Sequence, residues 1–165
     1  TIAKDIEGFK TSVKNNGGYY IGRYEAKKVT SNSNTYAIKD GGTTYYGITQ
    51  QQSAKMAQEL YTNKTFQSDL INSYAWDTTL VYIQNCSGDT DYSRQTNISG
   101  EDEKCKINDM ARSYLEWTTE THITDNRPVV ARGGFFDNSG YYTSIRIHDI
   151  STYKTDHTLR SILYF

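Results

Sequence analysis

The chain has 165 residues, of which 36% are hydrophobic, and its formal net charge is −1 at pH 7. Because lysine and arginine are scattered along the chain, this balance excludes the basic footprint of a protein that binds nucleic acid or an anionic membrane. No apolar run approaches the length of a membrane span, and the length suits one domain with a single core.

The first elements predicted along the chain are a helix and a strand. Ile6, Phe9 and Val13, preceded by Ile2, recur at helical spacing. The pair Gly17-Gly18 would end this helix, since glycine favours the left-handed conformation of a C-cap. The following segment, Tyr19 to Ala26, is rich in aromatic and apolar residues and is predicted to be a strand.

A loop and a second helix come next. Residues 27–47 predict a loop or hairpin, with Gly41-Gly42 as its turn. Thr49 followed by Gln52 has the spacing of a capping box, in which each residue satisfies a backbone N–H of the first helical turn. The sequence therefore predicts a helix that begins at about residue 50 and runs to about Leu60.

The second half of the chain predicts one more helix and several short strands. Trp76, Leu80 and Ile83 mark one apolar face of a helix. Residues 86–107 are polar and predict irregular structure. Short strands are expected near 115–118, 129–132 and 160–165, which gives a mixed α+β organisation.

Two cysteines flank the polar stretch. Cys86 and Cys105 could close it as a disulfide, but two cysteines alone say little about redox compartment. The sequence-based expectation is that both are free thiols.

Large aromatic and apolar side chains occur in the last third, among residues of turn composition. A stretch rich in Gly, Asn, Asp and Ser that still carries such side chains usually presents them to a partner. Tyrosine is also abundant in the whole chain, at 15 residues, and its ring with a polar tip suits a binding face. The candidate ligand-binding residues are Phe135, Phe136, Asp137, Tyr141, Tyr142, Ile147, His148, Asp149, Tyr153, Asp156 and His157.

The histidines raise an alternative reading. His148 and His157 each have an aspartate beside them, so a metal site or an acid–base pair could be built there. Their spacing, with that of His122, matches no ligand motif, and neighbouring residues on a strand point to opposite faces. We therefore expect solvated loop histidines, no catalytic residue, no metal and no cofactor.

A series of short motifs in the last third carries a family resemblance. Asp109, Met110 and Ala111 with Glu116 and Trp117 are followed by an Arg-Gly-Gly motif at 132–134 and by Arg146 and Arg160. In this order they resemble the formylglycine-generating-enzyme (sulfatase-modifying factor) branch of the C-type lectin fold. Residues 17–26 and 71–84 also resemble parts of that family. The resemblance implies a single α+β domain over 1–165, irregular and loop-rich, with short strands and two to three helices, as the C-terminal part of a longer protein.

The chain lacks the cysteines on which the oxidase activity of this family depends. The oxidases of the family use reactive cysteines after the Arg-Gly-Gly motif, and residues 135–158 contain no cysteine, so that activity is not carried over. Arg112, Ser113 and Tyr114 replace the usual Gly-Asn-Val, and a residue other than glycine matters there if the position needs a positive φ. We expect Trp117 and the arginines to form the framework, with the arginines bound to carbonyls and to Glu116.

The same resemblance extends to variable proteins of diversity-generating retroelements, which use this fold and diversify surface codons near the C-terminus. It implies a binding domain on a phage tail or a bacterial surface, without membrane insertion and with the candidate residues on one exposed face. The partner would be a cell-surface protein or glycan, and the parent assembly a possible homo-oligomer. The alternatives are an enzyme of this fold with non-cysteine chemistry and a structural prophage tail domain.

Overall fold

Three helices and a set of short strands make the chain an α+β structure. The computed structural model describes residues 6–31, 35–61, 65–96, 102–123, 126–137, 140–153 and 155–165. None of the helices in these ranges has the length and apolar character needed to cross a membrane. The helices are α1 (Ile6–Asn16), α2 (Gln50–Glu59) and α3 (Ser73–Ser87), and a short 3-10 helix spans Tyr92–Arg94.

Most of the strands lie in two sheets. The first has β1 (Tyr20–Ile21), β11 (Ser161–Tyr164) and β4 (Gln67–Leu70) in that order. The second has the order β10 (His157–Leu159), β7 (Leu115–Thr121), β8 (Val129–Arg132) and β9 (Arg146–Asp149), with β10 parallel to β7 and the other pairs antiparallel. Two small hairpins pair β2 (Ala26–Lys28) with β3 (Tyr36–Ile38) and β5 (Glu103–Lys104) with β6 (Ile107–Asn108).

Local sequence signals set the ends of the helices. Thr49 and Gln52 form the predicted capping box, because each side chain accepts the other residue's backbone N–H. The Asn72 side chain caps α3, which ends at Gly88 in the left-handed conformation. Gly17, at φ +77°, ends α1 as predicted, while Ile2 lies outside the described residues.

Several predicted elements need correction. The strand predicted over 19–26 is two short strands, β1 and β2, which pair with different partners. Gly41-Gly42 does not connect β2 to β3. It follows β3 and brings Thr44 back to pair with Lys27. Strands β9 and β10 lie where loops were expected, because the alternation in these short polar segments is too brief to predict a strand.

The interior contains two clusters of apolar side chains, each built around a tryptophan. Trp76 of α3 packs in the first cluster and donates from Nε1 to the Thr143 carbonyl at 3.1 Å. Trp117 of β7 packs in the second and donates to the Ile48 carbonyl at 2.7 Å. Both rings are fully buried, and each polar nitrogen has a partner. Trp117 is therefore a framework residue, as predicted.

A buried ion pair lies where the two sheets meet. Arg160, between β10 and β11, donates to both Glu116 carboxylate oxygens, at 2.6 Å and 2.9 Å. Nη1 donates to the Gly22 carbonyl, and Nη2 donates to the Asn108 carbonyl as well as to Glu116, both carbonyl bonds being 2.7 Å long. Burial raises the pKa of Glu116 to about 7, and the charge of Arg160 opposes that shift. The pair ties β7, the segment after β1 and β6 to one guanidinium, as expected for this arginine.

The cysteines are joined, and the expectation of free thiols is wrong. A disulfide links Cys86, near the end of α3, to Cys105, in the turn of the β5–β6 hairpin. The polar stretch between them is therefore closed at its base. Sequence spacing could not decide this, since the bond depends on how the fold brings the two ends together.

Candidate functional site

The four-stranded sheet divides the predicted ligand-binding residues between its two faces. Ile147 and Asp149 stand at the register positions of Ala131 and Val129, on the face that carries Trp117. His148 stands opposite Val130 and so lies on the other face, where its ring is 4.8 Å from that of His122. The predicted residues therefore do not form one continuous surface.

Five aromatic rings form a contiguous group at the loops beside this sheet. Tyr46 and Tyr114 are stacked, with ring centroids 4.5 Å apart and planes 10° apart. Phe136 contacts Tyr114 at 5.4 Å and Phe135 at 4.7 Å, and Tyr141 lies 6.2 Å from Phe135. Tyr46 and Phe136 are each 45% exposed, whereas Phe135 and Tyr141 are partly buried against the second core cluster. We call these five residues the aromatic cluster.

Backbone contacts to the preceding loop hold the aromatic cluster in place. Phe136 donates its N–H to the Ser113 carbonyl at 3.0 Å, and Gly134 donates to the Met110 carbonyl at 3.1 Å. Gly133 has φ +101°, and a Cβ on Gly134 would overlap the backbone of Ala111. The two glycines are thus required for different reasons, one for its conformation and the other for the close approach of two backbones.

A buried polar network also holds the loop of residues 110–113 in place. The Ser113 hydroxyl, Thr44 hydroxyl and Lys27 ammonium all donate to Oε1 of the buried Glu25, at 2.6 to 2.7 Å. Ser113 has a positive φ of 81°, but Arg112 does not, so Arg112 is not strained by its backbone conformation. The network fixes the loop that presents Tyr114, whose hydroxyl pKa is raised by partial burial and by the adjacent Tyr46.

His157 is buried, which corrects its prediction as an exposed ligand-binding residue. Its side chain is 1% exposed, stacked at 3.9 Å on the ring of Trp117 and contacted edge-on by Tyr153. Its Nε2 lies 3.4 Å from Oδ2 of Asp149, a separation that would suit an ion pair. Burial, however, lowers the pKa of His157 to about 3, so the ring is neutral at pH 7 and the two groups form no ion pair.

The remaining predicted residues lie around these groups. Tyr153 is half-buried and donates its hydroxyl to Asp156 at 3.2 Å. Asp137 is exposed beside the aromatic cluster. Tyr142 is 50% exposed. Its backbone pairs with that of Thr96, a residue outside the aromatic cluster.

The other two framework arginines share one acidic partner on α3. The buried Arg132 donates to Asp77 and to the carbonyls of Ser144 and Ile145. Arg146 is partly exposed and contacts Asp77 at 2.7 Å and Glu120 at 3.2 Å. These contacts agree with a framework role for Arg132, which anchors the loop before β9 by its carbonyls.

Tyr46 belongs to the cluster but was absent from the sequence-based set. The signal was the same as in the last third, because a Gly-Gly-Thr-Thr turn precedes Tyr45 and Tyr46. Its distance from the motifs of the last third hid it. Tyr114 was also absent from the set, although it lies among those motifs. In the described ranges, no group of three or more His, Cys, Asp or Glu side chains is placed to hold a metal ion.

Comparison with known proteins found no matching family model, no matching curated protein and no matching solved structure.

Proposed function

We propose that the chain is a non-enzymatic ligand-recognition domain that binds through the aromatic cluster. The observation that carries this proposal is the exposed Tyr46 ring stacked on the half-buried Tyr114, with the exposed Phe136 packed edge-on against Tyr114. Rigid aromatic rings provide a large contact area with few rotatable bonds, and they are the side chains most often found as binding anchors. Asp137 at the rim adds a polar group, as in the paratopes of binding proteins.

We further propose the C-type lectin-like fold of the formylglycine-generating-enzyme type. Two features support it, because each gives a physical reason for a motif spacing of that family. Glu116 and Arg160 meet as a buried pair, and Gly134 approaches the backbone of Ala111. These contacts connect the motifs to one another and support the loops.

Within this fold, we propose a functional resemblance to variable proteins of diversity-generating retroelements. The domain would be displayed on a phage tail or a bacterial surface, with a cell-surface protein or glycan as its partner. A single cluster of this size would bind weakly, and several copies on one assembly would raise the overall affinity.

Sequencing the 3′ coding region across a population of the source organism tests this proposal. We expect substitutions at codons for the exposed positions Phe136 and Asp137, and none at Trp117 or Gly134. An even spread of substitutions, or an invariant 3′ region, would contradict diversification. A fixed binding face would then be tested by the loss of host-cell binding in Phe136→Ser.

The enzyme alternative is best represented by the His157 and Asp149 pair. The burial of His157 and its pKa of about 3, which makes the ring a weak base, weigh against a role in proton transfer to a bound substrate. A cysteine-containing substrate peptide, incubated with the chain with and without copper, should yield no formylglycine by mass spectrometry. Detection of formylglycine would contradict the non-enzymatic proposal.

A further inference from the structure

A second surface, separate from the aromatic cluster, has the form of a binding groove. It lies between the end of α1, β1, α3 and the β5–β6 hairpin, and its volume is about 530 Å³. This is within the range of roughly 300–1,000 Å³ that is usual for ligand sites. Val13, Ile21 and Ile107 provide apolar contacts inside it, and the rings of Tyr20 and Tyr82, both more than half exposed, stand at its sides.

The charged side chains described in the lining of the groove are all basic. Among the described residues, its lining contains two cations, Arg23 and Lys106, and no carboxylate. Lys106 contacts Glu103 at 3.4 Å, but both side chains are exposed and such a pair is weak. Arg23 makes one hydrogen bond to the described residues, from Nε to the Lys106 carbonyl at 2.9 Å. Its terminal nitrogens are therefore free to bind a carboxylate in the two-pronged geometry that arginine favours.

One side of the groove is an unpaired strand edge. Among the described strands, β1 pairs only with β11. Gly22 donates its N–H to the Ser161 carbonyl at 2.9 Å, so in the alternating antiparallel pattern the backbone groups of Ile21 point away from β11. Among the described residues, the next backbone hydrogen bond along this edge is at Arg23, whose carbonyl accepts the N–H of Asn108 at 2.7 Å.

We propose that this groove binds an extended acidic segment of a partner protein. The segment would pair with the edge at Ile21, place an apolar side chain between Val13 and Ile107, and set a carboxylate against Arg23. Strand addition of this kind uses main-chain hydrogen bonds for affinity and side-chain pockets for specificity. The two cations, with no acid among the described lining residues, favour an acidic partner.

Two synthetic peptides test the proposal with the full chain. The first is acetyl-Glu-Val-Asp-Phe-Glu-Val-amide, and the second has lysine at every acidic position. We expect the acidic peptide to shift the ¹H–¹⁵N signals of Ile21, Arg23, Tyr82 and Lys106. The lysine peptide should bind at least roughly tenfold more weakly, since it loses hydrogen bonds to a charged group.

Three variants complete the test. Arg23→Gln should weaken binding of the acidic peptide by roughly tenfold, and Tyr82→Ser should weaken it by a smaller factor. Lys55→Gln, which removes the same charge from the exposed face of α2, is the matched control and should leave the affinity within about twofold. No signal change in the groove at about 1 mM peptide, equal binding of the two peptides, or equal effects of Arg23→Gln and Lys55→Gln would each overturn the proposal.

Discussion

The buried group of Glu116, Trp117 and Arg160, which we call the frame, and the aromatic cluster use large side chains in opposite ways. In the frame, Trp117, Glu116 and Arg160 are buried, and each places its polar atoms on a partner. In the aromatic cluster, the rings contact mainly one another, and Tyr46 and Phe136 remain 45% exposed. The difference predicts that substitutions in the frame change the free energy of unfolding. Under the proposed function, substitutions in the cluster change ligand binding instead.

The largest effect is expected at Gly134. In Gly134→Ala the new Cβ overlaps backbone atoms of Ala111, which cannot move without disrupting the 110–113 loop. The loss of stability should exceed about 4 kcal/mol. Gly18→Ala, where a Cβ meets nothing within 4 Å, is the control and should change little. Urea denaturation of the two variants measures both, and similar losses would mean that the 110–113 loop adapts.

Trp117→Ala is expected to cost about 3–5 kcal/mol, as for a buried large aromatic side chain. The substitution leaves a cavity in the second core cluster and removes the partner of the Ile48 carbonyl. Thermal unfolding followed by near-ultraviolet circular dichroism measures the loss. A cost below about 1 kcal/mol would place Trp117 outside the frame.

Glu116→Gln should cost about 3 kcal/mol, because it leaves the charge of the buried Arg160 without a counter-ion. Glu120→Gln makes the same chemical change at a partly exposed site paired with Arg146, and should cost about 1 kcal/mol or less. Chemical denaturation at about pH 8, above the raised pKa of Glu116, compares the two. An equal cost would show that burial does not distinguish the two ion pairs.

His157 should make stability fall as the pH falls. Its pKa is about 3 in the folded chain against an ordinary 6.5, so below about pH 6.5 the unfolded chain takes up a proton that the folded chain refuses. Glu116, with its raised pKa, has the opposite sign and loses its contribution as the pH rises through about 7. The two effects therefore partly cancel in the unmodified chain.

Comparison with His157→Phe isolates the histidine. Between neutral pH and about pH 4, the unmodified chain should lose about 3 kcal/mol more than the variant. Denaturation at several pH values measures the difference. An NMR titration that finds His157 protonating near pH 6, paired with Asp149, would contradict this expectation.

The smallest effects are expected at the exposed positions. Phe136→Ser and Tyr142→Ser should each change the free energy of unfolding by about 0.5 kcal/mol or less. Phe136→Ser should nevertheless weaken ligand binding, whereas Tyr142→Ser, outside the aromatic cluster, should not. A large loss of stability in Phe136→Ser would assign that ring to the core.

Signals local to a few residues predicted the helices well. The capping box at Thr49 and the apolar spacing from Trp76 to Ile83 depend on neighbours one or two turns away, so the sequence contains the whole signal. Strands β9 and β10 could not be predicted in this way, since their pairing partners lie elsewhere in the chain.

The candidate site was less predictable, for the same physical reason. Whether Cys86 reaches Cys105, or whether Trp117 covers His157, depends on tertiary contacts between distant segments. Composition predicted an aromatic binding face, but it could not assign His148 to the opposite side of the sheet or bring Tyr46 next to Tyr114.

The position of Arg160 has a consequence for how the chain unfolds. Strands β10 and β11 are one continuous segment, interrupted only at this residue, yet they belong to different sheets and pack in different core clusters. Pulling the segment out of one sheet also removes the anchor of the other. The two sheets and their core clusters should therefore unfold cooperatively, in a single calorimetric transition rather than in two separate ones.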